Sequence, residues 1–377
     1  MFESPPVWMW LVGFALVLGP LVTLHELGHY LVGRMFGIKA DAFSVGFGKE
    51  LAGWTDKRGT RWKLSMLPLG GYVQFKGDMN PTSMADNEAL EDVPAQDREG
   101  VFHFKPVWQR ALVVLAGPMM NLLIALAIFA SFFMIFGKPV AVDRAQTNVV
   151  GTFSDASAAR EGGIEIGDRI ISIDGAPVAE FKDIVDRVII YPGKTVNVGV
   201  ERAGERLVLP VKLSDSVEKD QFGNESRVGR LGVFSNSQEY VSVGPAEAVY
   251  LSVDHSIGLV KMMVTGLAQI FTGDRSVREL GGPIKIAKFS GEQLSLGPLP
   301  FANFVALISI NLAFINLLPI PALDGGHLAF YAAEAVRRKP IGPRGQEMAF
   351  RAGMALVLML MLFVTANDII SLPFFGG

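Results

Sequence analysis

Two histidines four residues apart, His25 and His29, with Glu26 beside the first, have the types and spacing to do chemistry. On an α-helix, residues four apart share a face, so the two imidazoles can hold one metal ion between them. Glu26 lies next to that face, where it is a poor third ligand but can take a proton from water that the metal activates. That is the arrangement of a zinc hydrolase. His-Glu-x-x-His fixes only three residues, but here it closes a long apolar run. Burying two imidazoles and a carboxylate in hydrocarbon is costly, and ionisable groups inside a membrane span are functional candidates.

The whole chain is apolar. Of 377 residues 50% are hydrophobic and 19% charged, with a mean hydropathy of +0.35, which reads as an integral membrane protein of two or three domains' length. The net charge of −3 and the lack of a basic block away from apolar segments suggest no nucleic-acid partner. Without cysteine there is no disulfide or thiolate site, so a metal must be held by His, Asp or Glu. No Lys or Arg precedes Arg34, so the first apolar run is expected to be a retained span rather than a cleaved signal.

Four apolar segments set the expected fold class, an α-helical polytopic membrane protein with four transmembrane helices. They are Pro6 to Leu24, Trp108 to Phe136, Phe301 to Leu318 and Met348 to Ile370. Between the first two, the stretches Phe43 to Gly48, Trp62 to Met66 and Tyr72 to Phe75 alternate and are punctuated by glycine. They read as a β-hairpin region apolar enough to lie against the membrane, and a free strand edge there could take up an extended segment. Asp78 to Gly100 is acidic and polar and is expected as a loop. Residues 138–240 have the composition of an inserted soluble domain. Gly162 to Gly175 within it resembles the central stretch of bacterial PDZ domains, which bind peptide termini or extended segments. Ser242 to Phe271 is interrupted by Asp254, His255, Lys261 and Gln269, so residues 241–300 are expected to form an interfacial amphipathic helix and a loop. The membrane domains are then 1–137 and 301–377. In the latter, Pro319 and Pro321 must break the helix, and irregular backbone at membrane depth is tolerated only where protein or a cavity covers it.

Charge bias sets the topology. The loops from Lys39 to Lys105 and around Arg337 to Arg344 are basic and belong on the cytoplasmic side, which puts both termini outside. The first and third spans then run inward together. Their inner ends bring His25 and His29 to the same depth as Asp324 and His327, either of which is a candidate third ligand, with His103 and His255 more distant. Two histidines and a carboxylate suit non-haem iron as well as zinc, but a base adjacent to the pair favours hydrolysis.

Three motifs together, His25-Glu26-x-x-His29, Gly117-Pro118-x-x-Asn121 and Asn316-x-x-Pro319-x-Pro321-x-Leu323-Asp324-Gly325, resemble the site-2 protease family of intramembrane zinc metalloproteases. The order of parts is similar to the bacterial RseP-like branch, although its best-known members carry two PDZ domains and this chain has room for one. The resemblance implies one zinc ion per chain on His25, His29 and Asp324, with Glu26 as general base. It implies Asn316 as a donor to substrate or oxyanion, where one hydrogen bond is worth about 3 kcal/mol. Asn121, Pro319 and Pro321 support the site, and Tyr72, Val73, Gln74 and Phe75 offer a strand to an unwound substrate. The implied partners are single-span membrane proteins already stripped of an outer domain, a peptide or substrate terminus at the PDZ domain, and the lipid bilayer. The implied process is regulated intramembrane proteolysis, as of an anti-sigma factor. The implied place is the bacterial inner membrane, with the PDZ domain and both termini periplasmic and the site near the cytoplasmic side. A metal-dependent transporter, which should show repeated spans, and a metal-stapled PDZ scaffold, which needs no Glu26, are the readings from other classes.

Overall fold

A computed structural model describes residues 5–77, 94–141, 148–219, 225–235, 238–274, 276, 281–339 and 342–370. The chain divides into two compact units, one holding the chain through Ile128 and again from residue 280 onward, the other Phe129–Glu279.

In the first unit, helix α1 (Val7–Met35) begins straight after Pro6 and runs on well past the histidine pair instead of ending there. Strands β1 (Ala40–Thr55) and β2 (Arg61–Phe75) follow as one long antiparallel pair with several bulges. The three short stretches read from the sequence are parts of these two strands, since glycines at positive φ (Gly46, Gly48 and Gly70) kink them without ending the pairing. Of the loop expected over Asp78 to Gly100, residues 78–93 lie outside the described residues, while Ala95–Gly100 forms a 3-10 turn. Helix α2 (Val107–Phe136) carries Pro118 in its interior and crosses from the first unit into the second.

The second unit is β-rich. Strand β3 (Lys138–Ala141) pairs with β12 (Gln238–Val241), β4 (Thr152–Phe153) with β11 (Val233–Phe234), and β9 (Ser214–Lys219) with β10 (Glu225–Arg230). Strands β5 (Arg169–Ile173), β6 (Ala176–Pro177), β7 (Thr195–Arg202) and β8 (Glu205–Lys212) form a four-stranded sheet in the order β6-β5-β7-β8. Helices α3 (Ala158–Glu161) and α4 (Phe181–Val188) accompany it, over a core that includes Ile164, Ile170, Ile184, Val198 and Val200. Asp168, within the Gly162 to Gly175 stretch, is a structural residue. Burial alone would raise its carboxyl, but Arg202, bonded to both its oxygens at 2.7 Å, and the Glu165 N–H hold it below its ordinary value. Helix α5 (Pro245–Thr272) completes the unit, with His255 edge-on to Phe129 and Phe133 and Gln269 donating to Ile190 O at 2.7 Å.

Back in the first unit, the sequence reads as loop up to residue 300, yet α6 (Pro283–Ser295) is helical. Its stabiliser lies far away in the chain. The carboxylate of Asp368 is buried and accepts from the Gly282, Ile284 and Lys285 N–H groups at 3.0–3.1 Å, filling the role of an N-cap. The next helices are α7 (Pro298–Leu317), α8 (Asp324–Arg337) and α9 (Pro343–Ile370), and Asp368 stands near the end of α9. Helices α1, α2, α7 and α9 are long and apolar enough to cross a membrane. Asp368→Ala leaves the first N–H groups of α6 without their acceptor, and we expect a loss of about 1–3 kcal/mol. Hydrogen exchange should show it as faster exchange at Ile284 and Lys285.

Candidate active site

Two helix positions and one helix start converge on a single point. His25 and His29 project from α1 and Asp324 from the first residue of α8, all three at least largely buried. The two Nε2 atoms are 3.1 Å apart, His25 Nε2 is 3.1 Å from Asp324 Oδ2, and His29 Nε2 is 3.6 Å from Asp324 Oδ1. Ligand atoms about 2.0–2.1 Å from a tetrahedral zinc stand about 3.3 Å apart, so the spacing fits that ion.

The proton positions point the same way. His29 Nδ1 lies 2.8 Å from Val113 O, a carbonyl that can only accept, so Nδ1 carries the hydrogen and Nε2 presents a lone pair. His25 Nδ1 lies 3.3 Å from the Asn121 amide, whose Oδ1 is buried without a hydrogen-bond partner among the described residues. Turning that amide over lets Oδ1 accept from Nδ1–H and again leaves Nε2 as a lone pair. Asp324 Oδ2 is likewise buried with no hydrogen-bond donor among the described residues. Two imidazole lone pairs and a carboxylate facing one point repel unless a cation lies between them, so the donor set fits a divalent metal.

Room for that metal comes from α2. A Cβ on Gly117 would stand 2.3 Å from His29 Nε2 and 2.7 Å from His25 Nε2. In the sequence Gly117 stands only as part of the second motif, but its lack of a side chain leaves open the space that the two imidazoles face. Pro118 beside it has no N–H, which removes one rung of the helix ladder in the same turn. The carbonyl of Val113 has no sequence signal, because a main-chain acceptor is invisible in residue types.

A cavity of about 460 Å³ opens onto the ligands and is lined by Glu26, Asn121, Asn316, Asp324 and His327 among others. Glu26 Oε2 accepts from the Val73 N–H at 3.0 Å, so the outer edge of β2 is bonded to the carboxylate beside the metal pair. Val73 and Phe75 put their side chains into the core that joins α1, β1, β2, α2 and α8. Tyr72 and Gln74 point to the other face and are half-buried. Tyr72, Val73 and Phe75 also line the cavity, and Phe75→Ala would cost about 3–5 kcal/mol of fold stability.

Pro319 and Pro321 lie in the break between α7 and α8, as their residue type requires, and Ala322 in the same break has φ +88°. Gly325 lets α8 start against this break, since a Cβ there would stand 2.2–2.4 Å from the Leu318 and Leu317 carbonyl oxygens. His103 packs edge-on to Phe102, and burial lowers the His255 imidazole among phenylalanines of the β-rich unit. Neither belongs to the metal-ligand group found among the described residues. For Gly117→Ala, the intruding methyl is expected to reduce zinc affinity at least 100-fold, although alanine is the better helix former. Metal analysis of the purified variant checks this.

Known proteins resemble this chain over nearly its whole length. The model of peptidase family M50 matches residues 13–360. A protein of Agrobacterium fabrum, named as a "Putative zinc metalloprotease", is 43% identical over 96% of each chain. One of the same name from Rhizobium meliloti is 43% identical over 94% of this chain and 95% of its own. Metalloprotease MmpA of Caulobacter vibrioides is 34% identical over 95% of each. The chain belongs to peptidase family M50, the site-2 protease family of zinc metalloproteases.

Proposed function

We propose that this zinc metalloprotease hydrolyses peptide bonds within or near the transmembrane segment of single-span membrane proteins whose outer domain has already been removed. The observation that carries the reading is the meeting of His25, His29, Asp324 and Glu26 at one cavity, on elements built around apolar spans. His25, His29 and Asp324 hold one zinc ion. When bound, zinc supplies Lewis acidity, which makes water a nucleophile at neutral pH and polarises a carbonyl.

The remaining work falls to the chain's own side chains. Glu26 takes a proton from the attacking water on a carboxylate oxygen and delivers it to the leaving amine. Asn316, in the last turn of α7 and on the cavity wall, donates to the substrate carbonyl as charge develops there. Asn121 and Val113 O keep both imidazoles in the tautomer that leaves Nε2 free. A helical peptide bond is shielded, so the substrate must unwind. The edge of β2 at Tyr72 to Phe75 offers it backbone partners by strand addition. An added strand competes with Glu26 for the Val73 N–H, so arrival of the substrate frees the carboxylate at the place where the proton must be taken.

Exposed Phe47, Leu51, Trp54, Met66 and Leu67 on the β1–β2 pair support its contact with lipid, and exposed Val249, Tyr250, Val253 and Ile257 support an interfacial α5. The β-rich unit acts as a single PDZ domain outside the bacterial inner membrane. There it receives a peptide or substrate terminus and screens which proteins enter, in regulated intramembrane proteolysis of a signalling protein such as an anti-sigma factor.

Purified protein in detergent, offered single-span substrates truncated on the outer side, tests the reading. Wild type should cleave and a chelator should stop it. Glu26→Gln should lose about 10²–10⁴-fold in rate with its zinc retained, and Asp324→Ala should lose the zinc itself. Full cleavage by Glu26→Gln would refute the proton-transfer role. In the same assay Val73→Pro, which removes the edge N–H, should weaken cleavage of helical substrates at unchanged zinc content.

A further inference from the structure

The third ligand sits at the start of a helix that the chain does not hold in line. Helix α7 ends at Leu317, Pro319 and Pro321 interrupt the ladder, and α8 starts anew at Asp324. Continuity of a helix fixes the His25–His29 spacing, but across this break it fixes nothing. Something else must set where α8 lies.

Arg110, in the first turn of α2, reaches that helix. Its Nη2 donates to Glu334 Oε1 at 2.7 Å, its guanidinium lies 4.8 Å over the Tyr331 ring, and its Nε donates to Lys105 O at 3.0 Å. Arg110 and Glu334 side chains are only 14% and 15% exposed, so the pair is largely shielded from water. The planar fork is used in three directions, which a lysine could not do. Tyr331 also belongs to the core that contains Val113 and Val114 of α2, and Leu328 packs against it. Asp324, Leu328 and Tyr331 are spaced four and three apart, hence on one face of α8.

The same spacing recurs on α2. Arg110, Val113 and Val114, Gly117 and Asn121 repeat at intervals of three and four, a single stripe. Along it lie the tether to α8, the carbonyl that orients His29, the space between the ligands, and the amide that orients His25.

We propose that Arg110 and Glu334, with Tyr331 beneath the guanidinium, are positioning residues that hold Asp324 at ligand distance from the two histidines. The proposal rests on the metal-site reading above. It makes α2 the common reference for all three ligands, two by hydrogen bonds to their rings and the third through a clamp two to three turns along α8. A displacement of about 1 Å at Asp324 is enough to spoil a zinc site, so a pair that never touches the metal governs its affinity.

The test is zinc affinity of the full-length protein in detergent, by competition with a chromophoric chelator, with the thermal midpoint of the zinc-free form measured alongside. Arg110→Ala and Glu334→Gln should each weaken zinc binding roughly 10- to 100-fold, the range for residues that orient ligands. The exchanged pair Arg110→Glu with Glu334→Arg should recover most of that loss. Arg110→Lys keeps the charge but loses the stacking and the Lys105 bond. It should fall between wild type and Arg110→Ala, and it serves if the harsher variants do not fold. A purely structural role would lower the zinc-free midpoint without changing the affinity of the folded protein, and that result would overturn the proposal. Asp324→Ala is the control. If it binds zinc normally, the metal-site reading itself fails. If it loses zinc while the Arg110 and Glu334 variants match wild type, only the clamp is wrong.

Discussion

Two imidazole lone pairs and a carboxylate aimed at one buried point are tolerable only with a cation among them. An uncompensated buried carboxylate costs several kcal/mol even after relaxation, and an unpaired neutral ring nitrogen about 1–3 kcal/mol. Much of the first unit can be read as the means of enforcing this arrangement. Residues four apart on α1 bring the rings together, Val113 O and Asn121 turn each ring so that its bare nitrogen faces inward, and the absent side chain at Gly117 keeps the space open. With zinc bound, a cluster that would destabilise the bundle becomes a tie between helices distant in sequence.

The chemistry also needs irregular backbone. A continuous helix through residues 318–323 would have no reason to start again at Asp324, and the two prolines supply the reason. The break lines a cavity, with Ala322 and Leu323 on its wall, as irregular backbone between apolar helices requires. Glu26, which lines the same cavity, is bonded to the edge of β2. Glu26 and the strand edge are thus neighbours in space, and under the proposed function docking of an extended segment would be coupled to readiness for hydrolysis.

How much of this was legible in the sequence depended on whether a feature lives in residue types. The His25-Glu26-x-x-His29 motif and the prolines of the break carry their meaning in identity and spacing. The four apolar spans were read to within a few residues, except that α1 runs through the metal pair instead of ending at it. Asp324 and His327 were equal candidates from chemistry alone, and only the resemblance chose between them. Helix α6 was missed because its cap, Asp368, lies far along the chain. Alternation marked Val73 and Phe75 as strand, which they are, but not that their side chains share a core with Tyr30, Val113 and Tyr331 while they line the cavity, because those partners lie far along the chain.

The account stands or falls on whether His25, His29 and Asp324 share one zinc ion. Zinc-edge X-ray absorption of the purified protein, compared with His29→Ala and Asp324→Ala, addresses this most directly. The account predicts a four-coordinate shell of nitrogen and oxygen at about 2.0–2.1 Å with outer-shell scattering from two imidazoles, and loss of that spectrum in either variant. A six-coordinate shell, or a spectrum unchanged by loss of His29 or Asp324, would contradict it.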